Sequence, residues 1–309
     1  MQRSIRFAMQ ERNNDRQLPT NHEIFLDHLG HFVPDPEAAS RALIRAGFAP
    51  TPVSIGVNSD ASPTGTGNVT AMLRRGYIEV LFKTADTALG QEFDSALARH
   101  AGVHLAAFAV ADAAKAHRRL SETGFAVRPL VQFARPVETG SGQATAAFTV
   151  ARVERGVMPE GRIQILTHRT EHVVWQPRWL VHPNGALGLA NVAFAVADPE
   201  EAAQRFARFT DRPATARQCG YTIALDRGRV EIVTAEAFAS ALPEVQIPSL
   251  PFAGCYTLVV KSLSAVERLL RENGIHTRMA AEYLVALFPS ELGQGAWLFA
   301  EAPSTSLFR

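Results

Sequence analysis

The chain has 309 residues, of which 47% are hydrophobic and 20% charged, a composition typical of a globular protein with a substantial core. Its 31 lysines and arginines balance 30 aspartates and glutamates, so the basic surplus that nucleic acid binding requires is missing. Two cysteines cannot build a disulfide framework or a cysteine-based zinc site, and no apolar run of about 18 residues predicts a membrane span. We therefore expect a cytoplasmic protein with neither a nucleic acid nor a membrane partner.

After a polar, charged segment at residues 1–22, which predicts a loose tail, one pattern occurs four times. It consists of a short apolar strand, a capping residue, an amphipathic helix and then strand-like sequence with turns. The predicted caps are Asp35, Asp112, Asp198 and either Ser262 or Ser264. Each copy closes with a strand that carries a polar residue between apolar ones, at residues 77–81, 162–166, 229–233 and 296–300. The repeated unit is thus βαβββ, which predicts an α+β fold.

The segment between the second and third units contains Pro177, Pro183 and Gly185, which interrupt regular structure. We interpret residues 169–186 as a linker. The predicted domains are then residues 23–168, with two modules, and residues 187–309, with the other two.

Two stretches of the first module, DHLGHFVPDPEAASRALIRAGF and GYIEVL, resemble the vicinal oxygen chelate superfamily, the fold of glyoxalases and bleomycin-resistance proteins. The segments GTGNVTAMLRRGYIEVL and VVWQPRWLVHPNGALGLANVAFAV are similar to its glyoxalase-like domain proteins. This resemblance implies that each pair of modules forms a curled-sheet barrel. The superfamily includes isomerases, lyases, dioxygenases and binding proteins, so the fold alone does not decide the reaction.

The resemblance also implies a metal site in the first barrel, because His28 and Glu79 stand at positions that are ligands in the superfamily. In the second module Gln164 matches Glu79, whereas Leu105 stands where His28 stands in the first, and His104 is one residue away. A shift of one residue in a strand selects the opposite face, so His104 reaches the barrel only through a bulge or a shifted helix start. The predicted ligands of a divalent Zn, Fe, Mn or Ni ion are His28, Glu79, Gln164 and His104.

The second barrel offers a poorer set of side chains at the four equivalent positions. These are occupied by Asn191, Glu231, Cys255 and Phe299. They do not form a competent set of metal ligands, which predicts a structural or substrate-covering half.

The predicted linker contains large aromatic and polar side chains, which is unusual for a segment that merely joins domains. Its tryptophans could fill the seam between the domains. Alternatively, Trp175 stacks on a substrate while Arg178 or His182 binds the substrate carboxylate. The Gly- and Ser-rich segment 57–68 predicts a mobile lid, and an arginine that follows it could meet an anionic group. The candidate substrate-binding residues are Asn68, Arg74, Trp175, Arg178 and His182.

Three functions stay open on this evidence. The first is a metal-dependent lyase or isomerase of glyoxalase-like type that acts on a small carbonyl or hydroxy-carbonyl metabolite, with Glu79 as catalytic residue, either ligand or base. The second is a non-catalytic binder of a small molecule, without metal. The third is a ring-cleaving extradiol-type dioxygenase, which needs two histidines and one carboxylate on one face. Four modules supply two barrels in one chain, so a monomer or a homodimer is expected.

Overall fold

The structure, a computed structural model, describes residues 16–57, 62–302 and 306–308. Residues 1–15 of the predicted tail and residues 58–61 of the predicted lid lie outside the described residues. The described part contains sixteen strands and seven helices, and the four predicted βαβββ modules are all present. The predicted α+β fold is therefore confirmed.

The first half of the chain contains modules 1 and 2, each followed by a further helix. Module 1 consists of β1 (Ile24–Phe32), α1 (Pro36–Arg45), β2 (Ser54–Val57), β3 (Pro63–Met72) and β4 (Tyr77–Lys83), and α2 (Ala88–Leu97) follows it. Module 2 consists of β5 (Gly102–Val110), α3 (Ala113–Glu122), β6 (Val131–Thr139), β7 (Gly142–Arg152) and β8 (Arg162–His168), and α4 (Glu171–Val174) follows it. The short helix α4 and a 3₁₀ turn at Pro177–Trp179 lie in the predicted linker.

The second half repeats this arrangement. Module 3 consists of β9 (Ala186–Val196), α5 (Pro199–Thr210), β10 (Ala214–Arg217), β11 (Gly220–Ala224) and β12 (Arg229–Thr234), and α6 (Ala235–Ala241) follows it. Module 4 consists of β13 (Phe252–Val260), α7 (Leu263–Glu272), β14 (Thr277–Ala280), β15 (Tyr283–Leu287) and β16 (Ala296–Ala300). A 3₁₀ turn at Ser290–Leu292 precedes β16.

The helices of the four modules begin at the predicted caps. The side chains of Asp35, Asp112, Asp198 and Ser262 each accept at least one hydrogen bond from a backbone N–H of the first helical turn. Ser262 rather than Ser264 therefore caps α7. The helices α2, α4 and α6 were not predicted, although Thr87 caps α2 by accepting a hydrogen bond from the Gly90 N–H.

Within each module the first strand pairs in parallel with the last, and the last three strands form an antiparallel meander. Antiparallel pairing of β1 with β5 joins modules 1 and 2, and pairing of β9 with β13 joins modules 3 and 4. In the first half β2 contacts β6 across the end of the curl, but no ladder joins these strands among the described residues. Each half is thus a curled sheet that stays open.

An extra residue interrupts the ladder at the same place in every module. Across β1 and β5, and across β9 and β13, the pairing skips one residue at the corresponding place of each module, namely Asp27, His104, Ala190 and Gly254, and β9 skips a second residue, Leu187. Such a β-bulge bends the strand and changes the direction of the neighbouring side chains. In each module the residue that follows the bulge faces the inside of the curl. These residues are His28, Leu105, Asn191 and Cys255.

The strand β3 begins at Pro63, so most of the predicted lid is part of a strand. The glycines of this segment serve close packing, since a Cβ atom at Gly67 would lie 2.6 Å from the Phe82 ring. The prediction of a loop at residues 63–68 is wrong, because the glycines of this segment allow close packing within a strand and do not form a flexible loop.

The two halves are joined by backbone and side-chain contacts. Val103 of β5 pairs with Ala253 of β13. Buried His31 lies between the halves, with its Nδ1 2.9 Å from the Leu292 carbonyl oxygen and its Nε2 2.9 Å from the Tyr256 hydroxyl. The Tyr256 oxygen also accepts a hydrogen bond from the Trp297 indole N–H at 2.7 Å. None of the helices in the described ranges is long and apolar enough to cross a bilayer.

Candidate functional site

A cavity of about 360 Å³ opens inside the curl of modules 1 and 2, and we call it the first cup. Apolar side chains form its walls, among them Leu81, Leu105, Phe133, Phe148, Val150 and Leu166. Its polar lining consists mainly of His28, Asn68, Tyr77, Glu79, Arg135, Arg152, Arg162 and Gln164. A mostly apolar cavity with a few converging polar groups is the usual form of a small-molecule site.

The imidazole of His28 is held from behind by the carboxylate of Asp27. Adjacent strand residues normally point to opposite faces, but the bulge at Asp27 allows its carboxylate to reach the neighbouring ring. The Asp27 Oδ2 lies 2.8 Å from His28 Nδ1. An ionised carboxylate can only accept, so Nδ1 carries the proton and the Nε2 lone pair of His28 is directed elsewhere.

Asp27 is fully buried and accepts a second set of hydrogen bonds from His168, whose Nε2 lies 3.0 and 3.2 Å from the two carboxylate oxygens. Burial alone would raise the pKa of Asp27, but attraction to His168 and hydrogen bonds from both imidazoles outweigh it and hold the pKa well below its ordinary value. Asp27 is therefore an ionised carboxylate that fixes the tautomer and orientation of His28.

Glu79 faces the free nitrogen of His28 across the first cup. Its Oε2 lies 3.5 Å from His28 Nε2, and its Oε1 accepts a hydrogen bond from Asn68 Nδ2 at 2.5 Å. The ring of Tyr77 stacks on His28 with centroids 4.4 Å apart. Burial and the carboxylates of Asp27 and Glu79 raise the pKa of Tyr77 well above its ordinary value, so its phenol stays neutral.

Module 2 contributes two arginines that were not predicted. Arg152 donates from Nε to Gln164 Oε1 at 3.0 Å, and the guanidinium carbon of Arg162 lies 5.2 Å from each of the Phe32 and Phe93 rings. Burial and repulsion from Arg162 lower the pKa of Arg152 to about 10, which leaves it protonated at neutral pH. Both arginines are within electrostatic reach of Glu79.

The backbone registers define which positions of the modules correspond. The module 1 residues His28, Tyr77 and Glu79 correspond to Leu105, Arg162 and Gln164 of module 2. The predicted correspondence of Leu105 with His28 thus agrees with the strand pairing. A cationic side chain stands in module 2 where module 1 has a phenol.

His104 does not lie with the other predicted ligands. The bulge that the prediction required is present at His104, but the His104 side chain does not line the first cup, just as Asp27 does not. Its Nε2 is 2.8 Å from the His100 carbonyl oxygen, and burial lowers its pKa to about 4. The inclusion of His104 among the ligands is therefore corrected, because a bulged residue in this fold occupies the layer behind the cavity.

The predicted substrate-binding residues separate into one that lines the first cup, Asn68, and four that do not. Trp175 is buried beneath the cup, where its indole N–H donates to the Leu73 carbonyl oxygen at 3.0 Å. His182 has both ring nitrogens bonded to backbone groups of module 1. Arg178 donates to the Glu138 carbonyl oxygen beside a neighbouring cleft, and Arg74 is exposed.

The second half holds a different set of side chains at the same positions. The strand registers place Asn191, Arg229, Glu231, Cys255, Ala296 and Leu298 there. Leu298 corrects the predicted Phe299, which is one residue further along the strand and so belongs to the other face. Glu231 Oε1 accepts a hydrogen bond from Arg229 Nε at 2.7 Å, so this buried carboxylate is already paired within the protein.

The donors of the first cup do not fit a divalent metal. Among the described residues no group of three His, Cys, Asp or Glu side chains is arranged to hold an ion. The third predicted donor, the amide oxygen of Gln164, already accepts from Arg152, and Leu105 occupies the position of a fourth. Two guanidinium groups place positive charge where a cation would have to bind.

Comparisons with known proteins identify one family by sequence and several solved structures with a similar fold. Residues 26–210 match the family model of the glyoxalase-like domain. No curated protein matches the sequence. A hypothetical protein from Staphylococcus aureus has a TM-score of 0.62 at 9% identity, over 89% of this chain and 98% of that one.

Two enzymes share the fold at similar distance. A triple mutant of 4-hydroxymandelate synthase from Streptomyces coelicolor has a TM-score of 0.57 at 12% identity, over 92% of this chain and 94% of that one. The Mn(II)-bound glyoxalase from Novosphingobium aromaticivorans has a TM-score of 0.51 at 13% identity, over 92% of this chain and 83% of that one. Identities this low indicate a common fold alone.

Proposed function

The chain belongs to the glyoxalase-like domain family, within the vicinal oxygen chelate superfamily predicted from its sequence, and from this premise we propose that it is a metal-independent lyase or isomerase. Its substrate is a small carbonyl compound that carries a carboxylate. One observation carries the proposal: the His28 imidazole, oriented by buried Asp27, directs its free nitrogen towards Glu79 in a cavity that also contains two partly buried guanidinium groups.

Size and charge favour a small anion as the substrate. A volume of about 360 Å³ is at the lower end of the range for ligand cavities. The planar guanidinium groups of Arg152 and Arg162 suit a carboxylate, which they can hold through paired hydrogen bonds. The apolar walls surround the remainder of the substrate and exclude water from it. This lowers the local dielectric constant and strengthens the attraction between the guanidinium groups and the substrate.

Proton transfer next to the carbonyl group is the chemistry that these side chains support. Glu79 accepts the proton from carbon at Oε2, the oxygen that Asn68 does not bind, and the electron pair moves to the carbonyl oxygen. A guanidinium group stabilises the enolate that results, which is an enediolate when the carbon that loses its proton carries a hydroxyl group. His28 Nε2, 3.5 Å from Glu79, moves the proton onwards. In an isomerase the hydroxyl proton of the enediolate passes to the former carbonyl oxygen through His28 Nε2, and Glu79 returns its proton to the former carbonyl carbon. In a lyase the carbonyl forms again as the bond to a leaving group on the next carbon breaks, and the leaving group takes the proton from Glu79 by way of His28.

Hydrogen exchange tests this function without knowledge of the natural substrate. The protein would be incubated in D₂O, with a chelator, with a panel of small 2-oxo and 2-hydroxy carbonyl carboxylates, and loss of C–H signals followed by NMR. We expect exchange by the wild-type protein and a loss of about 100-fold or more in Glu79→Gln. The matched control is Glu272→Gln, at an exposed position at the end of α7, which should exchange at the wild-type rate.

Two outcomes contradict the proposal. Exchange that vanishes with chelator and returns with Mn²⁺, Zn²⁺ or Ni²⁺ would establish the metal-dependent reaction that the fold family first suggested. Saturable binding without exchange of any compound in the panel would instead establish a non-catalytic binding protein.

A further inference from the structure

A second cavity, of about 390 Å³, lies beside the first cup between α2 and the segment 153–163. Its lining is unusually rich in one residue type. Five arginines line it, namely Arg99, Arg128, Arg152, Arg155 and Arg162. We call this cavity the arginine cleft. Arg152 and Arg162 also line the first cup, so the two cavities share a wall.

A single carboxylate on α2 serves three of these guanidinium groups. Glu92 accepts hydrogen bonds from Arg128 at 3.0 Å, from Arg162 at 2.8 Å and from Arg155 at 3.3 Å. The other acidic residue in the lining is Glu154. Within this lining five arginines face two glutamates, an excess of three positive charges that Glu79, on the first-cup side of Arg152 and Arg162, offsets in part.

This excess is unfavourable because two of the charges, on Arg152 and Arg162, are largely removed from water. Burial lowers the pKa of Arg152, and repulsion from both Arg162 and Arg128 lowers it further. Burial lowers the pKa of Arg162 as well, with a contribution from Arg128. Charges inside a protein that lack a counter-charge strongly favour an anion from solution.

We propose that the arginine cleft binds a phosphate group, separately from the reaction in the first cup. A phosphate dianion offers several acceptor oxygens to planar guanidinium donors, and its charge matches the excess better than a single carboxylate does. Arg128 and Arg155 both contact Glu92, and Arg155 also donates to the Ala88 carbonyl oxygen at 3.1 Å, so an incoming phosphate replaces part of these contacts. Arg155 keeps 57% of its side chain exposed, so a phosphate group on a small organic molecule can enter from its side.

Isothermal titration with inorganic phosphate at low salt and neutral pH tests this site. We expect one phosphate bound per chain by the wild-type protein. The double variant Arg128→Gln and Arg155→Gln removes two donors that do not line the first cup, and should weaken binding roughly tenfold or more. The matched control, Arg268→Gln with Arg271→Gln, makes the same change in net charge on the exposed face of α7 and should bind as the wild type does.

Arg155→Gln alone guards against loss of the fold, since this side chain is mostly exposed; it should stay folded and bind phosphate more weakly. Absence of phosphate binding by the wild-type protein at millimolar concentration would overturn the proposal. Equal weakening in the control pair would overturn it too, because the effect would then reflect net charge and no particular site. The readout is independent of catalysis, so failure of the exchange experiment leaves this test intact.

Discussion

Replacing Asp27 by asparagine tests whether a buried carboxylate sets the state of His28. Asparagine keeps the shape but replaces one of two acceptor oxygens by a donor NH₂ group. One of the two imidazoles must then accept a hydrogen bond from it. For His168 that would place the proton on Nδ1, which is buried without a hydrogen-bond partner. His28 is therefore the ring that changes tautomer, and its Nε2 becomes protonated towards Glu79.

The size of the effect follows from the contacts that are lost. Asp27 accepts from His28 at 2.8 Å and from His168 at 3.0 Å. Hydrogen bonds to a charged group contribute about 1.5–3 kcal/mol each, and asparagine keeps part of them, so we expect the free energy of unfolding at pH 7 to fall by about 3 kcal/mol. Because the pKa of Asp27 is lower in the folded than in the unfolded chain, this stabilisation is present above about pH 4 and is lost as the pH falls further.

Urea denaturation followed by circular dichroism, at several pH values, measures the difference. The curves of wild type and Asp27→Asn should converge in acid, and the exchange rate of the variant at pH 7 should fall by about 100-fold or more. Asp35→Asn is the matched control, because asparagine caps a helix as well as aspartate does and α1 should keep its stability. Parallel pH curves with equal stability would refute the role of the carboxylate, and an unchanged exchange rate would refute its control of His28.

Two further predictions concern packing. Tyr256→Phe removes the hydroxyl group that is hydrogen-bonded to His31 Nε2 and to the Trp297 indole N–H. Both ring nitrogens are then buried without a partner, so the free energy of unfolding, measured by urea denaturation, should fall by about 2–4 kcal/mol. A loss below about 0.5 kcal/mol would contradict this account of the junction. Gly67→Ala places a Cβ atom 2.6 Å from the Phe82 ring and should lower the free energy of unfolding by about 1–3 kcal/mol. The control Gly140→Ala, with no atom within 4 Å of the new Cβ, should lower it far less. Equal losses in the two variants would contradict the packing argument.

The fold was largely predictable because the repeat places the same signals at the same intervals. Caps at Asp35, Asp112 and Asp198 start the helices, and the number of residues back from each cap aligns the first strands. That count alone identified Leu105 as the counterpart of His28, in agreement with the strand pairing. The repeat does not predict helix α2, because this helix follows the closing strand of module 1 and lies outside the βαβββ pattern, although Thr87 offers a capping signal.

The site was predictable only in part, because strand faces depend on pairing that sequence does not display. Asp27 precedes His28, and simple alternation assigns the two side chains to opposite faces, with no contact between them; the bulge brings the Asp27 carboxylate against the His28 ring. Arg152 reaches the first cup through its pairing with Gln164 across β7 and β8, a contact between residues far apart in the chain. Arg162 lies two residues before Gln164 in the same strand. This spacing places both side chains on one face, so Arg162 was predictable from the sequence. The sequence leaves Trp175 open between packing and substrate stacking, and its indole N–H donates to a carbonyl oxygen in the core.

The bulge that recurs in every module gives the fold two positions that can change independently. The four copies of the bulged residue are aspartate, histidine, alanine and glycine, while the residue after it keeps its direction. A mutation at the bulge therefore keeps the residue that lines the cavity but changes the group that orients it, as Asp27 orients His28, and a mutation one residue later does the reverse. In each half, a single substitution at the bulge can add or remove an orienting group while the residues that line the cavity stay the same.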